Sequence, residues 1–309
     1  VTAPFTHLDR RGVLLGVGAY VTWGLFPAFW PLLDPAAPIE VLAHRILWTL
    51  VLMAVVLSLL HRWSDLRGLA LRHWLTVTAA AVCIAVNWGV FIYGVAIGHV
   101  VEIALGYYMS PLVSVLLGVV VLRERPRVLE WVALAVATSA VLIISVSNGS
   151  PPWLGLALAV SFGVYGLLKK AVPLSSAAGL TAEGVVLGPL AAVLIVVLQI
   201  GGTGTLLNHG AWHIVLLIAA GPVTALPLVL YGAAARRIPL TTLGTLMYLT
   251  PTLQFLWGVL VVGEAMPAVR WAGFALVWLA LAILTVDLVR AARAGRDRLT
   301  ERQPVRSTT

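Results

Sequence analysis

Six polar side chains stand inside otherwise apolar sequence, and through them this chain could do chemistry: His44, Arg45, Asn87, Glu102, Glu183 and Gln254. An ionisable group in such a setting is costly, so each marks either a functional site or a paired structural contact. A partly desolvated carboxylate such as Glu102 can take up and return a proton, which makes it a candidate for substrate contact or proton coupling. The structural alternative is an acid at a helix start, favoured by the positive end of the helix dipole. His44 titrates in the range of a proton relay, although the neighbouring charge of Arg45 opposes a protonated ring. Alternatively the two form an interfacial pair with Arg45 snorkelling outward. Glu183 couples to protons or pairs with Lys169 or Lys170. The amides of Asn87 and Gln254 either bond cargo or bridge helices.

Aromatic residues form a second candidate set: Trp23, Tyr93, Tyr107, Tyr165 and Tyr248, accompanied by Tyr20, Phe26, Trp88, Tyr108 and Phe162. Together they could line an apolar pocket with a few polar tips, suited to an amphipathic or aromatic small molecule. Trp48, Trp63, Trp74, Trp131 and Trp271 lie nearer the ends of apolar runs and read as interfacial anchors. The pattern offers nothing to a cofactor or metal. Asp9, Asp34, Asp65, Asp287 and Asp297 form no acidic pair deep in an apolar run, and no P-loop, HExxH or nucleophile elbow occurs. The expectation is that the chain is not an enzyme, binds no cofactor, and has no catalytic residues.

The elements that position these groups must be membrane helices. The 309 residues are 61% hydrophobic and 10% charged, too few polar groups to cover a soluble globule of that size. Runs of about 20 apolar residues follow one another, each long enough to cross a bilayer. They predict ten spans, near 12–33, 39–60, 73–97, 101–122 and 128–147, then 152–168, 178–200, 211–235, 240–262 and 269–289. The first run is read as a span rather than an export signal, since it is long, aromatic and leads into further spans. Of the 20 Lys and Arg, all but Arg45 and Arg270 fall in alternate loops or the tail. That is the positive-inside pattern with both termini cytoplasmic, and it argues against nucleic acid as a partner. Cys83 is the single cysteine, so an intrachain disulfide is excluded.

One pattern occurs twice. Pro111, Gly118, Glu124 and Trp131 recur as Pro251, Gly258, Glu264 and Trp271, an offset of 140 residues, and Tyr93-Gly94 recurs as Tyr231-Gly232. The chain therefore reads as a lead over 1–11, a first five-span repeat over 12–147, a second over 152–289, and a basic tail over 290–309 expected to be disordered. Five spans per repeat is an odd number, so the second repeat must enter the membrane inverted. Pro111 and Pro251 are expected to break spans four and nine, each removing a backbone hydrogen bond and freeing a carbonyl.

The stretch from Asn87 to Trp131, NWGVFIYGVAIGHVVEIALGYYMSPLVSVLLGVVVLRERPRVLEW, together with AHRILW around His44 and Arg45, resembles the RarD branch of the EamA family in the drug/metabolite transporter superfamily. LGTLMYLTPTLQFLWGVLVVGE in the second half extends the resemblance over nearly the whole chain outside the tail. It implies an all-α polytopic protein of a bacterial inner membrane, with ten helices as two inverted five-helix repeats. The cavity is expected chiefly from spans one, three, four, six, eight and nine. The branch carries the name chloramphenicol-sensitive protein, and other superfamily members move amino acids, nucleotide sugars, amines or drugs. The function so implied is a secondary transporter exporting small amphipathic metabolites or drugs by alternating access, with proton coupling through Glu102 or His44. The alternatives are an uncoupled facilitator or importer, or a membrane scaffold or sensor that does not transport. The expected partners are a small-molecule substrate and the lipid bilayer, and a homodimer is compatible with this plan.

Overall fold

The computed structural model describes residues 9–301, apart from 124, 125 and 239. Residues 1–8 of the lead, the Glu124–Arg125 pair of the resemblance, and the tail from 302 onward lie outside the described residues. Helices account for the regular structure: α1 (Arg10–Gly24), α2 (Phe26–Phe29), a 3₁₀ turn (Trp30–Leu33), α3 (Pro38–Leu59), α4 (Ser64–Arg67), α5 (Leu71–Ala96), α6 (Val100–Leu122) and α7 (Val128–Asn148) in the first half. The second half contains α8 (Trp153–Lys170), α9 (Ser176–Ile200), α10 (Gly210–Ala235), α11 (Leu240–Leu246), α12 (Leu249–Trp257), a π turn (Gly258–Val262) and α13 (Ala268–Glu301). Among the described residues, eight helices are long and apolar enough to cross a membrane, and α1 with its bent continuation over 26–33 makes a ninth. The sequence predicts ten. The shortfall falls at α8, an apolar helix that reaches its lysines after too few residues to qualify on length.

Local chemistry explains the ends and bends. Asp9 caps α1, its carboxylate accepting from the backbone N–H of Arg11 at 3.0 Å. Pro27 has no N–H for the carbonyl of Trp23, and the first span bends by 46° at this point. The freed carbonyl accepts instead from Gln254 Nε2 at 3.2 Å, and Thr250 Oγ1 donates to the Tyr20 carbonyl at 2.8 Å. These bonds tie α12 to α1.

Packing is close because small residues permit it. A Cβ on Gly106 would lie 2.6 Å from the carbonyl oxygen of Gly155, and one on Gly155 would lie 2.9 Å from the carbonyl oxygen of Glu102. Only glycines allow α6 and α8 to cross at that distance. Elsewhere α3 packs against α9 and α10, α5 against α8, α1 against α10 and α12, and α7 against α13. Phe255, Phe274, Tyr108, Leu105 and Val277 belong to the largest apolar cluster among the described residues, which joins α6, α12 and α13 and is also entered by Ala140 and Ile144 of α7 and Ala159 of α8. Outward faces remain apolar, with Val146, Ile200 and Leu260 largely exposed as lipid-facing residues must be.

Two sequence expectations need correction. Pro111 does not break its span: α6 runs from Val100 to Leu122 through it. One missing hydrogen bond is tolerated in a membrane helix whose neighbouring hydroxyls bond the local backbone, and Ser110 and Ser114 donate to the carbonyls of Gly106 and Ser110 at 3.0 and 2.9 Å. By contrast the chain does leave the helix near Pro251, at Met247 and Tyr248 between α11 and α12. The second correction is at the tail, where α13 continues as helix to Glu301 although disorder is expected from about 290. Its sequence there, AARAGRDRL, is rich in strong helix formers.

Candidate functional site

The two halves of the chain converge on a cavity of about 440 Å³. Its lower-numbered wall is Tyr20 and Trp23 of α1, Phe26 of α2, and Asn87, Trp88 and Phe91 of α5. Tyr107, Ser110, Pro111 and Ser114 of α6 close one side, and Phe162 and Tyr165 of α8 another. From the second half come Thr224, Leu228 and Tyr231 of α10, the turn residues Met247 and Tyr248, and Thr250, Pro251 and Gln254 of α12. Single residues from α3 and α9, Arg45 and Leu180, complete it. A volume of this size admits a small molecule, and the aromatic walls with scattered polar tips fit an amphipathic one.

The polar lining is mostly engaged by the protein itself. Asn87 donates through Nδ2 to the Leu158 carbonyl at 3.0 Å and to Ser161 Oγ at 3.1 Å, and accepts from the Tyr107 hydroxyl at 3.3 Å. It bridges α5, α6 and α8, the structural alternative for this amide. Thr224 Oγ1 donates to the Ala220 carbonyl at 2.8 Å. The Tyr165 hydroxyl donates to Glu183 Oε2 at 3.2 Å, and Lys169 Nζ meets Glu183 Oε1 at 2.7 Å. Glu183 is thus paired with Lys169, one of the two partners expected from sequence. Two lining residues keep fully buried atoms without a partner. Gln254 Oε1 is buried without a partner, and so are Nε and Nη1 of Arg45.

Arg45 is 3% exposed. Its guanidinium carbon lies 4.1 Å from the ring centre of Trp88, 5.0 Å from Trp30 and 5.4 Å from Phe26. It turns inward to these rings rather than snorkelling to the interface. Among the described residues it is the one charged side chain lining the cavity.

Of the residues expected at the site, nine line this cavity: Trp23, Arg45, Asn87, Tyr107, Pro111, Tyr165, Tyr248, Pro251 and Gln254. Three do not. Glu102 Oε1 accepts from the backbone N–H of Leu154 at 2.9 Å, and Oε2 lies 3.4 Å from His99 Nδ1, so this carboxylate ties the start of α6 to the start of α8. His44 is buried beside the cavity wall and accepts through Nδ1 from Trp48 Nε1 at 3.2 Å. Tyr93 is half exposed on the outside of α5. Its repeat counterpart Tyr231 lies inside instead, with ring centres 6.1 Å from both Tyr20 and Trp23. Phe91, Thr224 and Tyr231 are lining residues that sequence reasoning did not select, although the Tyr-Gly echo pointed at Tyr231.

Comparison with known proteins decides the family. The EamA-like transporter family matches residues 10–146. A protein named RarD from Streptomyces exfoliatus is 49% identical over 300 residues, covering 96% of this chain and 95% of that protein. The chain belongs to the EamA-like transporter family, in its RarD branch. A further relative, named an uncharacterized transporter, from Pseudomonas aeruginosa, is 40% identical over 92% of this chain and 96% of its own. One crystal structure, 18% identical, superposes with a TM-score of 0.55 over 91% of this chain and 98% of that one, a likeness of fold alone. The EamA match ends before α8, so the cavity draws on residues both inside and beyond the matched segment.

Proposed function

We propose that the protein is a secondary transporter of a bacterial inner membrane that exports small amphipathic metabolites or drugs by alternating access. The observation that carries this reading is the aromatic-walled cavity of about 440 Å³ built jointly by the two halves. In this reading both termini are cytoplasmic, and α8 counts as a span, giving ten in two inverted repeats. The packing supports that plan. If spans are numbered one to ten, α6 on α8 is four on six, and its exchange partner nine on one is the observed packing of α12 on α1. Likewise α5 on α8 exchanges with α10 on α1, while α3 on α9, α6 on α12 and α7 on α13 each exchange with themselves. A pseudo-twofold arrangement of this kind is what rocking between inward- and outward-open states requires.

Cargo contact is assigned to Trp23, Arg45, Tyr107, Tyr165, Tyr248 and Gln254, with Asn87 holding the wall in shape. If transport is proton-coupled, the coupling is assigned to Glu102 or His44. Each sits on a helix that also lines the cavity, His44 immediately before Arg45 and Glu102 five residues before Tyr107. The test is solute flux and proton movement measured together in proteoliposomes enclosing a pH dye. Cargo movement that carries protons, and that loses them in Glu102→Gln or His44→Gln, upholds coupled export. Flux without protons in the unaltered protein makes it a facilitator. Absence of flux for amino acids, amines and chloramphenicol-like aromatics alike removes the transport reading.

A further inference from the structure

We infer that the cargo is an organic anion, a carboxylate on an apolar or aromatic body, and that Arg45 of the central cavity holds its head group. The inference rests on the transporter reading for the word cargo, but the binding site itself rests on the geometry around Arg45.

A guanidinium keeps its charge and has five N–H groups arranged for bidentate contact with a carboxylate. Burying such a group without a partner is among the more expensive arrangements a protein can adopt. Arg45 is 3% exposed, and Nε and Nη1 have no hydrogen-bond partner. Among the described residues no carboxylate lies within ion-pairing distance of it. The nearby acids do not serve it. Glu102 accepts from Leu154, Glu183 is paired with Lys169, and Glu40, whose Oε1 accepts from the backbone of Thr205 at 2.7 Å while Oε2 is buried without a partner, makes no ion pair with Arg45.

The protein does stabilise the cation, but through faces rather than through hydrogen bonds. Trp88, Trp30 and Phe26 surround the guanidinium carbon at 4.1 to 5.4 Å. Ring faces attract the charge and leave the N–H groups at the edge free for an anion. The same fact argues against a cationic cargo. Aromatic walls alone would suit an amine, but here a resident cation already occupies the rings and repels a second one. A carboxylate is favoured over a phosphate because, among the described residues, the lining supplies a single positive charge. The remaining wall, Phe91, Phe162, Leu180 and Leu228, accounts for the apolar body.

The experiment uses the full chain in nanodiscs and matched probes that differ only at the head group: phenylacetate, phenylacetamide, phenethylamine and phenyl phosphate, with indole-3-acetate and its amide as a larger pair. Binding is read from thermal shift and from the fluorescence of the tryptophans stacked on Arg45. The acids are expected to bind at least about tenfold more tightly than their amides, with Arg45→Gln bringing acid and amide level and Arg45→Lys retaining part of the preference. Equal binding of acid and amide, or preference for the amine, overturns the inference. So does a preference for the acid that survives Arg45→Gln, while preference for phenyl phosphate overturns the choice of carboxylate. The matched pairs are measured on the unaltered protein, so the inference stays open to refutation even where the variants fail to fold. Flux in proteoliposomes separates the two readings. Acids that bind but are not carried refute transport and leave the anion site, whereas amides carried as fast as acids refute the anion site and leave transport. A probe set in which nothing binds refutes both.

Discussion

Removing Lys169 is expected to destabilise the protein far more than removing its partner Glu183, although both substitutions break the same ion pair. The two nitrogen and oxygen atoms lie 2.7 Å apart, but the side chains are unequally buried, 31% exposed for Lys169 and 4% for Glu183. Lys169→Met leaves a carboxylate enclosed with only the Tyr165 hydroxyl for a partner, a situation that typically costs about 3–5 kcal/mol. Glu183→Gln leaves an ammonium that can swing a flexible four-carbon stem toward water, and its Nζ lies 5.4 Å from the Tyr165 ring on the way. Solvent screening reduces that cost to about 1 kcal/mol. The double substitution removes both charges and should recover most of the loss. The sole cysteine, Cys83, lies partly buried in α5, so a thiol-reactive dye reports unfolding at one site, and thermal transitions of the four proteins close the double-mutant cycle. Equal losses for the two single variants, or a double variant as unstable as Lys169→Met, would refute the argument that the burial of Glu183 sets the cost.

The glycine crossing of α6 and α8 gives a second expectation. Gly106→Ala places a Cβ 2.6 Å from a backbone oxygen that cannot yield, costing about 1–3 kcal/mol as overpacking, whereas Gly232→Ala meets nothing within 4 Å and should gain about 0.5–1 kcal/mol from helix propensity; thermal unfolding of the two variants reads the contrast. Asn87→Leu strands the Tyr107 hydroxyl in the cavity wall, with an expected loss of about 1–3 kcal/mol and weaker cargo binding, measured by the same transitions with and without ligand. Outside the spans, burial is the first cause raising the Glu264 carboxyl above its ordinary range, partly opposed by backbone N–H groups at Val101 and Val100. A carboxyl raised by folding contributes stability that is complete below its unfolded pKa and is lost as pH rises through the folded value. Stability of the wild type relative to Glu264→Gln should therefore fall with rising pH across that window, and a constant difference between them would be the refuting result.

Much of the fold was legible because bilayer physics writes it into the sequence. Apolar runs of span length located the long helices, and the helix ends fall within a few residues of the predicted ones except at α13, which runs on to Glu301 past the end expected near 289. Glu183 with Lys169 was also readable, since two opposite charges near one interface have few other options. What the sequence left open was helix phase. A soluble helix announces its inner face by periodicity, but α3 and α5 are apolar on nearly every side, so nothing in their pattern says which residues face a cavity and which face lipid. Hence Tyr93 was selected where Tyr231 lines the wall, and Arg45 read equally well as a snorkelling side chain. Pro111 exposes a different limit. Proline removes one hydrogen bond for certain, but whether the helix continues depends on nearby hydroxyls and packing, and α6 with Ser110, Ser114 and the α8 crossing has both.

The polar groups of the interior divide by whether their partner is part of the chain. Glu102 ends on Leu154, Glu183 on Lys169 and Tyr165, Asn87 on Leu158, Ser161 and Tyr107, and such closed sets fix how helices meet. Glu264 accepts from the Val101 N–H at 2.8 Å and joins the end of the ninth predicted span to the start of the fourth in the same way. Arg45 and the Oε1 of Gln254 are different, because they line the cavity and nothing within the described chain completes them. A helix bundle that only needed to be stable could replace Arg45 by a well-packed apolar side chain and lose nothing, since burying a charge rarely repays its desolvation. Retaining the guanidinium in a ring cage at the cavity wall makes sense when its missing partner arrives from outside, which ties the stability of this site to its occupancy. A bound anion should then raise the unfolding temperature of the wild type in proportion to the logarithm of its concentration above Kd, and should shift Arg45→Gln no more than the matched amide does.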